Sequence, residues 1–347
     1  MKKVSIIGHF AVGLEYYDGQ TVKTRSLFRE LCKQCGDGEV ARIDTHGGVK
    51  TLIKAPFTVV AAMRKTKNVI MLPAHNGLRV FGRLLPLFRR CFSDRRIHYA
   101  VVGGWLPSVL AKNRGLARSL KRFDGIYVET SSMKKDLEAM GFENVYMLPN
   151  FKYLTPVTQE ELTFCADKPY KLCMFSRIME QKGVEDAIEA VNEINDEAGE
   201  TVYSLDIYGP VDDGYKERFE ELQKQFPENI RYLGAVDSEK SVEVLRDYFA
   251  LLFPTKFYTE GIPGTLIDAC AAGVPVITSL WVNHADVFYE GVTGWGYEFG
   301  NTEQFKQLLK KAAYAPDEFL KMKRTSLETF EKYAPERAVL DLVQRIS

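Results

Sequence analysis

Short β-branched or apolar runs alternate with amphipathic helical stretches along the whole chain, and this alternation restricts the fold more than any other feature. Strands separated by helical crossovers run parallel, and a parallel sheet needs helices over both faces. Strand candidates in the first half are 3–7, 40–43, 69–72, 99–102, 125–128 and 145–148; in the second half they are 172–175, 204–208, 230–233, 250–253 and 276–278. Between the first two of the second set, Val184, Ala187, Ile188, Val191 and Ile194 share one helical face while Glu185, Asp186, Glu189 and Glu193 face water. At 347 residues the chain exceeds what one core usually holds. The expected class is α/β, with two Rossmann-like, doubly wound parallel-sheet domains facing across a cleft. The expected boundaries are 1–151, a polar, proline-bearing linker at 152–169, a second domain at 170–325, and a C-terminal helix at 326–347 packing back on the first domain.

A net charge of zero hides an asymmetry. Residues 1–161 hold 26 Lys/Arg against 14 Asp/Glu, and the remainder holds 20 against 32, so one half faces something anionic. The positive charge is densest within 79–122. There Arg79, Arg83, Arg89, Arg90, Arg95 and Arg96 interleave with Val80, Phe81, Leu84, Leu85, Leu87, Phe88 and Phe92, and Arg114, Arg118, Lys121 and Arg122 extend the run. Two readings stand side by side: an anionic membrane surface as partner, or a sheet-covering helix with a solvated face. Nucleic acid is not expected, since no recognition motif accompanies the charge. No secretory core follows Met1-Lys2-Lys3 and no stretch approaches the ~20 apolar residues of a span. A cytoplasmic location is expected, with peripheral attachment at the inner membrane face as the variant of it. Cys32 and Cys35 alone among six cysteines have motif spacing, and without a second ligand pair nearby they read as reduced thiols.

The chemistry-bearing signal is the run Thr259 to Ile277. A buried strand leads through Glu260-Gly261-Ile262-Pro263-Gly264-Thr265 into a helix carrying Asp268 and ending near Gly273. The glycines keep the helix entry open, and a helix N-terminus offers free N–H groups to an anion or to sugar oxygens. The second signal is Ser176-Arg177-Ile178-Met179-Glu180-Gln181-Lys182-Gly183, directly after a strand. Two cations at a strand's carboxyl end suit a diphosphate. A phosphate-binding Walker loop is excluded, because Leu14-Glu15 follow Gly13 where Lys and Ser/Thr belong, and no dinucleotide fingerprint is present.

These elements resemble family 4 of the GT-B glycosyltransferases. Arg177, Lys182-Gly183, Glu260-Gly261-Ile262-Pro263, Ala269, Ala271, Gly273, Pro275 and Val276 fall in the family's order, as do Tyr208-Gly209-Pro210, Tyr232-Leu233-Gly234 and Phe253-Pro254-Thr255. The resemblance covers residues 145–300 closely and the first half more loosely. It implies a GT-B enzyme that moves a sugar with retention from a nucleotide-diphosphate sugar, expected to be a UDP-sugar, to a glycan or lipid-linked acceptor in polysaccharide biosynthesis. The first domain would take the acceptor and the second the donor. Arg177 and Lys182 would hold the diphosphate. Glu260, with the backbone of Gly261, Ile262, Pro263, Gly264 and Thr265, would hold the donor sugar, and Asp268, standing where the family has glutamate, the ribose. The stretch Tyr17-Asp18-Gly19-Gln20 looks like the family's first loop, with Gly19 and Gln20 near the diphosphate. Gly103 or Gly104 stands where many members carry a histidine; Gly103, Gly104 and Trp105, with His75 and Asn76, would line the acceptor side. No cofactor or metal is expected, since no Asp-x-Asp occurs. A nucleotide-sugar epimerase and a catalytically silent sugar-nucleotide-binding subunit are the alternatives.

Overall fold

Two parallel six-stranded sheets appear in the computed structural model, which describes residues 1–14, 19–164 and 166–347. The first contains β1 (Lys2–Gly8), β2 (Val40–Asp44), β3 (Thr66–Met71), β4 (Arg96–Ala100), β5 (Gly125–Val128) and β6 (Val145–Met147), in the order β2-β1-β3-β4-β5-β6. The second contains β7 (Tyr170–Phe175), β8 (Tyr203–Tyr208), β9 (Ile230–Gly234), β10 (Ala250–Phe253), β11 (Val276–Leu280) and β12 (Gly294–Glu298), in the order β12-β11-β10-β7-β8-β9. Both orders reverse beside the first strand of their sheet, the switch point at which doubly wound folds place ligands. The edge strand β12 escapes the sequence reading because glycines replace β-branched residues. Gly294 takes φ 152°, and a Cβ there would lie 1.8 Å from the Val276 carbonyl oxygen. Only Trp295 and Tyr297, both buried, show its alternation.

The chain divides into two units, Met1–Lys152 with Tyr333–Ser347, and Tyr153–Lys332. Of the segment expected as a linker, 152–169, all but Lys152 falls within the second unit. Val157 is buried and donates its N–H to the Ala271 carbonyl at 3.0 Å, and Leu162 occupies the space a Cβ on Gly273 would need. The return to the first unit begins at Tyr333 rather than at 326. There Asn68 and Arg96 donate to the carbonyls of Ile346 and Arg345, at 2.9 and 2.8 Å, and the Arg345 guanidinium lies 3.4 Å above the Tyr146 ring.

Each core follows its helical faces. In the second unit the helix Val184–Ala198 buries Val184, Ala187, Ile188, Val191 and Ile194 against the sheet. In the first, the helix His75–Phe88 buries Phe81 and Leu85 despite an internal Pro86. Proline has no N–H for the Gly82 carbonyl one turn earlier, and the Ser119 hydroxyl supplies the missing bond at 2.7 Å. Part of the basic run serves this packing: Arg89 pairs with Asp124 at 3.0 Å, and Arg95 donates to the Met63 carbonyl at 2.7 Å. Cys32 and Cys35 are free, burial raises both thiol pKa values, and Cys165 lies outside the described residues.

His98 in β4 is buried, with Nδ1 3.2 Å from the Tyr127 hydroxyl and Nε2 3.4 Å from Asn68 Oδ1. Burial lowers its pKa from 6.5 to about 4, and the nearby Asp124 opposes this only in part. The unfolded chain therefore takes up a proton near pH 6.5 that the folded chain refuses until about pH 4. Stability is full above that window and falls through it, by about 3 kcal/mol in all. Urea titrations at pH 7 and pH 4.5 are expected to show this loss, and His98→Gln to flatten it; an unchanged pH slope in the variant overturns the assignment.

Candidate functional site

Two glycines build the second unit's site. Gly209 takes φ 136°, and a Cβ on it would fall 1.8 Å from the Ser176 carbonyl oxygen, so the segment after β7 can lie directly against the segment after β8. Along this seam the Ile178 N–H donates to the Pro210 carbonyl at 2.9 Å and the Ile178 carbonyl accepts from the Asp212 N–H at 3.0 Å, and Arg177 stays half exposed with Nη1 3.5 Å from Asp212 Oδ2. Gly183 takes φ 72°, where a Cβ would meet the Pro254 carbonyl oxygen at 2.1 Å. That close approach carries Lys182 to the end of β10. Its Nζ lies 2.5 Å from Glu260 Oε2 and 5.2 Å from the centroid of the Phe253 ring, and the two charged side chains are 16% and 19% exposed. Two motifs 78 residues apart thus meet in one largely buried ion pair. Thr255 Oγ1 stands 3.5 Å from the same glutamate oxygen, a contact the sequence reading did not anticipate.

The loop bearing Glu260 is fixed along its backbone. Lys256 donates to the Gln181 carbonyl at 2.8 Å, Phe257 to Thr255 Oγ1 at 3.1 Å, and Asn283 Nδ2 to the Glu260 carbonyl at 2.5 Å. Beyond it the helix Gly264–Ala271 starts at Pro263 without a side-chain cap, leaving its first N–H groups available as a helix start requires. Thr265 Oγ1, in its first turn, is buried without a hydrogen-bond partner among the described residues. Gly261 and Ile262 precede the helix, and Ile262 is buried. Asp268 turns inward: it is 2% exposed, and its Oδ1 accepts from Ser241 Oγ at 2.8 Å. Only half of the interval from Glu260 to Asp268 is helical, so the two acids sit on different elements rather than at the ends of one helix.

In the first unit, Asp44 closes β2 and gathers the loop after β1, accepting from the N–H groups of Phe10, Ala11, Val12 and His46 at 2.9, 3.4, 3.2 and 2.8 Å. Burial alone would raise its pKa; the four N–H donors outweigh burial and lower it. Arg25 holds the same loop by the carbonyls of Phe10, Ala11 and Leu14. His9 joins Thr21 at 2.7 Å and His46 at 2.8 Å, a cluster with no spacing signal in the sequence. Tyr17 and Asp18 lie outside the described residues; Gly19 opens the helix Gly19–Cys35, and Gln20 Nε2 donates to the Leu72 carbonyl at 3.4 Å.

At the carboxyl ends of β3 and β4, the structure brings His75 onto Trp105, with ring centroids 4.4 Å apart and planes at 23°. His75 opens its helix at φ 37°, a backbone that residues other than glycine rarely adopt. Asn76 beside it is exposed, and Gly104 is partly so. Gly103, at φ 79°, donates its N–H to Glu129 Oε2 at 3.2 Å, and Trp105 Nε1 donates to the Val102 carbonyl at 2.8 Å. Glu129 in turn pairs with the buried Lys23 at 2.8 Å, which sequence reasoning missed because the partners are 106 residues apart.

Residues 160–329 match the family described as glycosyl transferases group 1. Among curated proteins, the chain is 22% identical over 188 residues to the amylovoran biosynthesis glycosyltransferase AmsK of Erwinia amylovora, covering 52% of this chain and 46% of that one. It is 25% identical over 181 residues to the putative colanic acid biosynthesis glycosyltransferase WcaL of Salmonella typhimurium, covering 51% and 42%. Each alignment spans under half the length of the relative. Among solved structures, HepE of Anabaena in complex with UDP aligns over 99% of both chains with a TM-score of 0.76 at 11% identity, a likeness of fold.

Proposed function

We propose that the chain transfers a sugar from a nucleotide-diphosphate donor, a UDP-sugar, to a glycan or lipid-linked acceptor in polysaccharide biosynthesis, a reading supported by the match of residues 160–329 to the glycosyl transferases group 1 family and by the two-domain GT-B fold. The observation that carries this reading is the contact of Lys182 with Glu260 ahead of the helix Gly264–Ala271. A cation and a carboxylate side by side match the two chemically distinct halves of a sugar diphosphate. Lys182 and Arg177 would bind the diphosphate, and Glu260 the sugar hydroxyls. The N–H groups at Gly264 and Thr265, with the Thr265 hydroxyl, would add neutral donors. Asp268, oriented by Ser241, would meet the ribose. In the first unit, His75, Asn76 and Gly103 to Trp105 would contact the acceptor. As the bond from sugar to diphosphate breaks, negative charge moves onto the diphosphate, and fixed cations and dipoles stabilise it without a metal ion. Retention of configuration and membership of family 4 are part of the same proposal.

The outward residues of 79–122 support peripheral attachment to an anionic membrane face. Arg79, Arg83, Arg90, Arg114, Arg118, Lys121 and Arg122 are exposed, with Leu87 54% exposed among them. No helix among the described residues is long and apolar enough to cross a membrane.

One assay tests the function. The protein is incubated in EDTA with UDP- and GDP-sugars, with and without membrane lipid extract, and nucleotide release is followed. Release that requires the extract and persists in EDTA is expected. Loss that added metal rescues overturns the metal-free mechanism, donor turnover without acceptor points to an epimerase-type reaction, and nucleotide binding without release to a silent subunit. Failure to sediment with phosphatidylglycerol vesicles at low salt, where screening is weakest, overturns the membrane contact.

A further inference from the structure

Phe257 and Tyr258 are 45% and 56% exposed, and Val282, whose N–H donates to the Tyr258 carbonyl at 3.2 Å, is 44% exposed. Apolar side chains on a mobile loop would be ordinary. These stand on a backbone held at Lys256, Phe257, Tyr258 and Glu260, and the Tyr258 ring is braced edge-on by Phe299 at 5.2 Å. A rigid, exposed aromatic patch marks a binding surface. We propose that Phe257 and Tyr258 form a stacking platform for a pyranose ring of the acceptor saccharide.

The neighbourhood selects this occupant. The platform ends two residues before Glu260, and Glu260 touches Lys182. On the reading above, on which this inference rests, it therefore adjoins the donor at its sugar end, and the nucleobase lies a ribose and a diphosphate away. An aromatic face suits the C–H face of a pyranose, while Thr259 and Glu260 alongside offer hydrogen bonds to its hydroxyl rim. An anionic lipid surface is poorly matched: Lys256, the cation in this loop, pairs with Asp186 at 2.8 Å, and residues 162–347 carry 12 more acidic than basic residues.

The test compares the full-length protein with its Phe257→Ser/Tyr258→Ser double variant, two exposed positions whose change leaves the core intact. UDP and GDP binding is read by thermal shift. Saturation-transfer NMR with maltose, lactose, cellobiose and chitobiose, in the presence of the nucleotide, reads contact with sugar C–H protons. The wild type is expected to saturate one or more of these disaccharides, and the variant to bind them about tenfold more weakly with an unchanged nucleotide shift. Equal saturation in both proteins, or none in the nucleotide-loaded wild type, overturns the platform. A nucleotide shift that falls with the sugar signal assigns the rings to the base instead, and loss of vesicle sedimentation in the variant assigns them to a membrane; either overturns the proposal. A wild type that binds no nucleotide overturns the donor reading itself, a result separate from all of these.

Discussion

Lys182→Met is expected to slow nucleotide release by about 10²–10³-fold in a protein that remains folded. Methionine keeps most of the side chain's length and puts an apolar group in place of the ammonium that lies over the Phe253 ring, so the change removes a charge rather than a volume. The lysine is 16% exposed, so its field is only partly screened by water, and a donor aimed at developing charge in such a place contributes most in the transition state. The loss should therefore fall on kcat more than on the KM for donor. Arg177 gives the contrast. It is 47% exposed and 3.5 Å from Asp212, and Arg177→Met should cost no more than about tenfold because solvent screens it. Single-turnover release of nucleotide, with a melting curve for each variant, checks both. A Lys182→Met enzyme within threefold of wild type at saturating donor removes this residue from the chemistry.

What the sequence discloses and what it hides follow a physical division. Strands buried on both faces announce themselves as apolar runs, so the central strands β1, β7 and β10 are legible from residue type. The edge strand β12 is not, because its position depends on a glycine that lets Val276 come close. Gly183 and Gly209 belong to motifs that are easy to notice, yet only the structure gives the reason for them: each removes a Cβ that would strike a carbonyl oxygen. The motifs also name Lys182 and Glu260, but their contact is a property of the loop between β10 and the helix Gly264–Ala271. Asp268 shows the limit of spacing arguments. Asp268 stands eight residues after Glu260, but the helix begins only at Gly264 and Asp268 meets Ser241, so their separation in sequence does not give their placement. His9 with His46, and Lys23 with Glu129, were invisible because nothing local in sequence marks residues that meet across a sheet.

The Lys23–Glu129 pair should be the most costly single point of failure in the first unit. Lys23 is 1% and Glu129 5% exposed, and Nζ uses its three N–H bonds on Glu129 Oε1 at 2.8 Å and on the carbonyls of Leu148 and Pro149 at 3.3 and 3.2 Å. Lys23→Met deletes the cation and leaves the carboxylate buried without its counter-charge, a loss of about 3–5 kcal/mol. For a unit of this size, that lowers the melting temperature by about 10 °C or more. The double change Lys23→Met/Glu129→Met removes both charges and should regain most of the loss, because an apolar pair of similar volume avoids the desolvation of two ions. It should not regain the geometry at the end of β4. Glu129 Oε2 is the acceptor for the Gly103 N–H, and Gly103 leads into the turn that carries Trp105 beneath His75. The doubly apolar protein is thus expected to melt near the wild type while binding the acceptor more weakly and the nucleotide equally well. A single variant that melts within 2 °C of wild type, where about 10 °C is expected, overturns the claim that this ion pair holds the unit together.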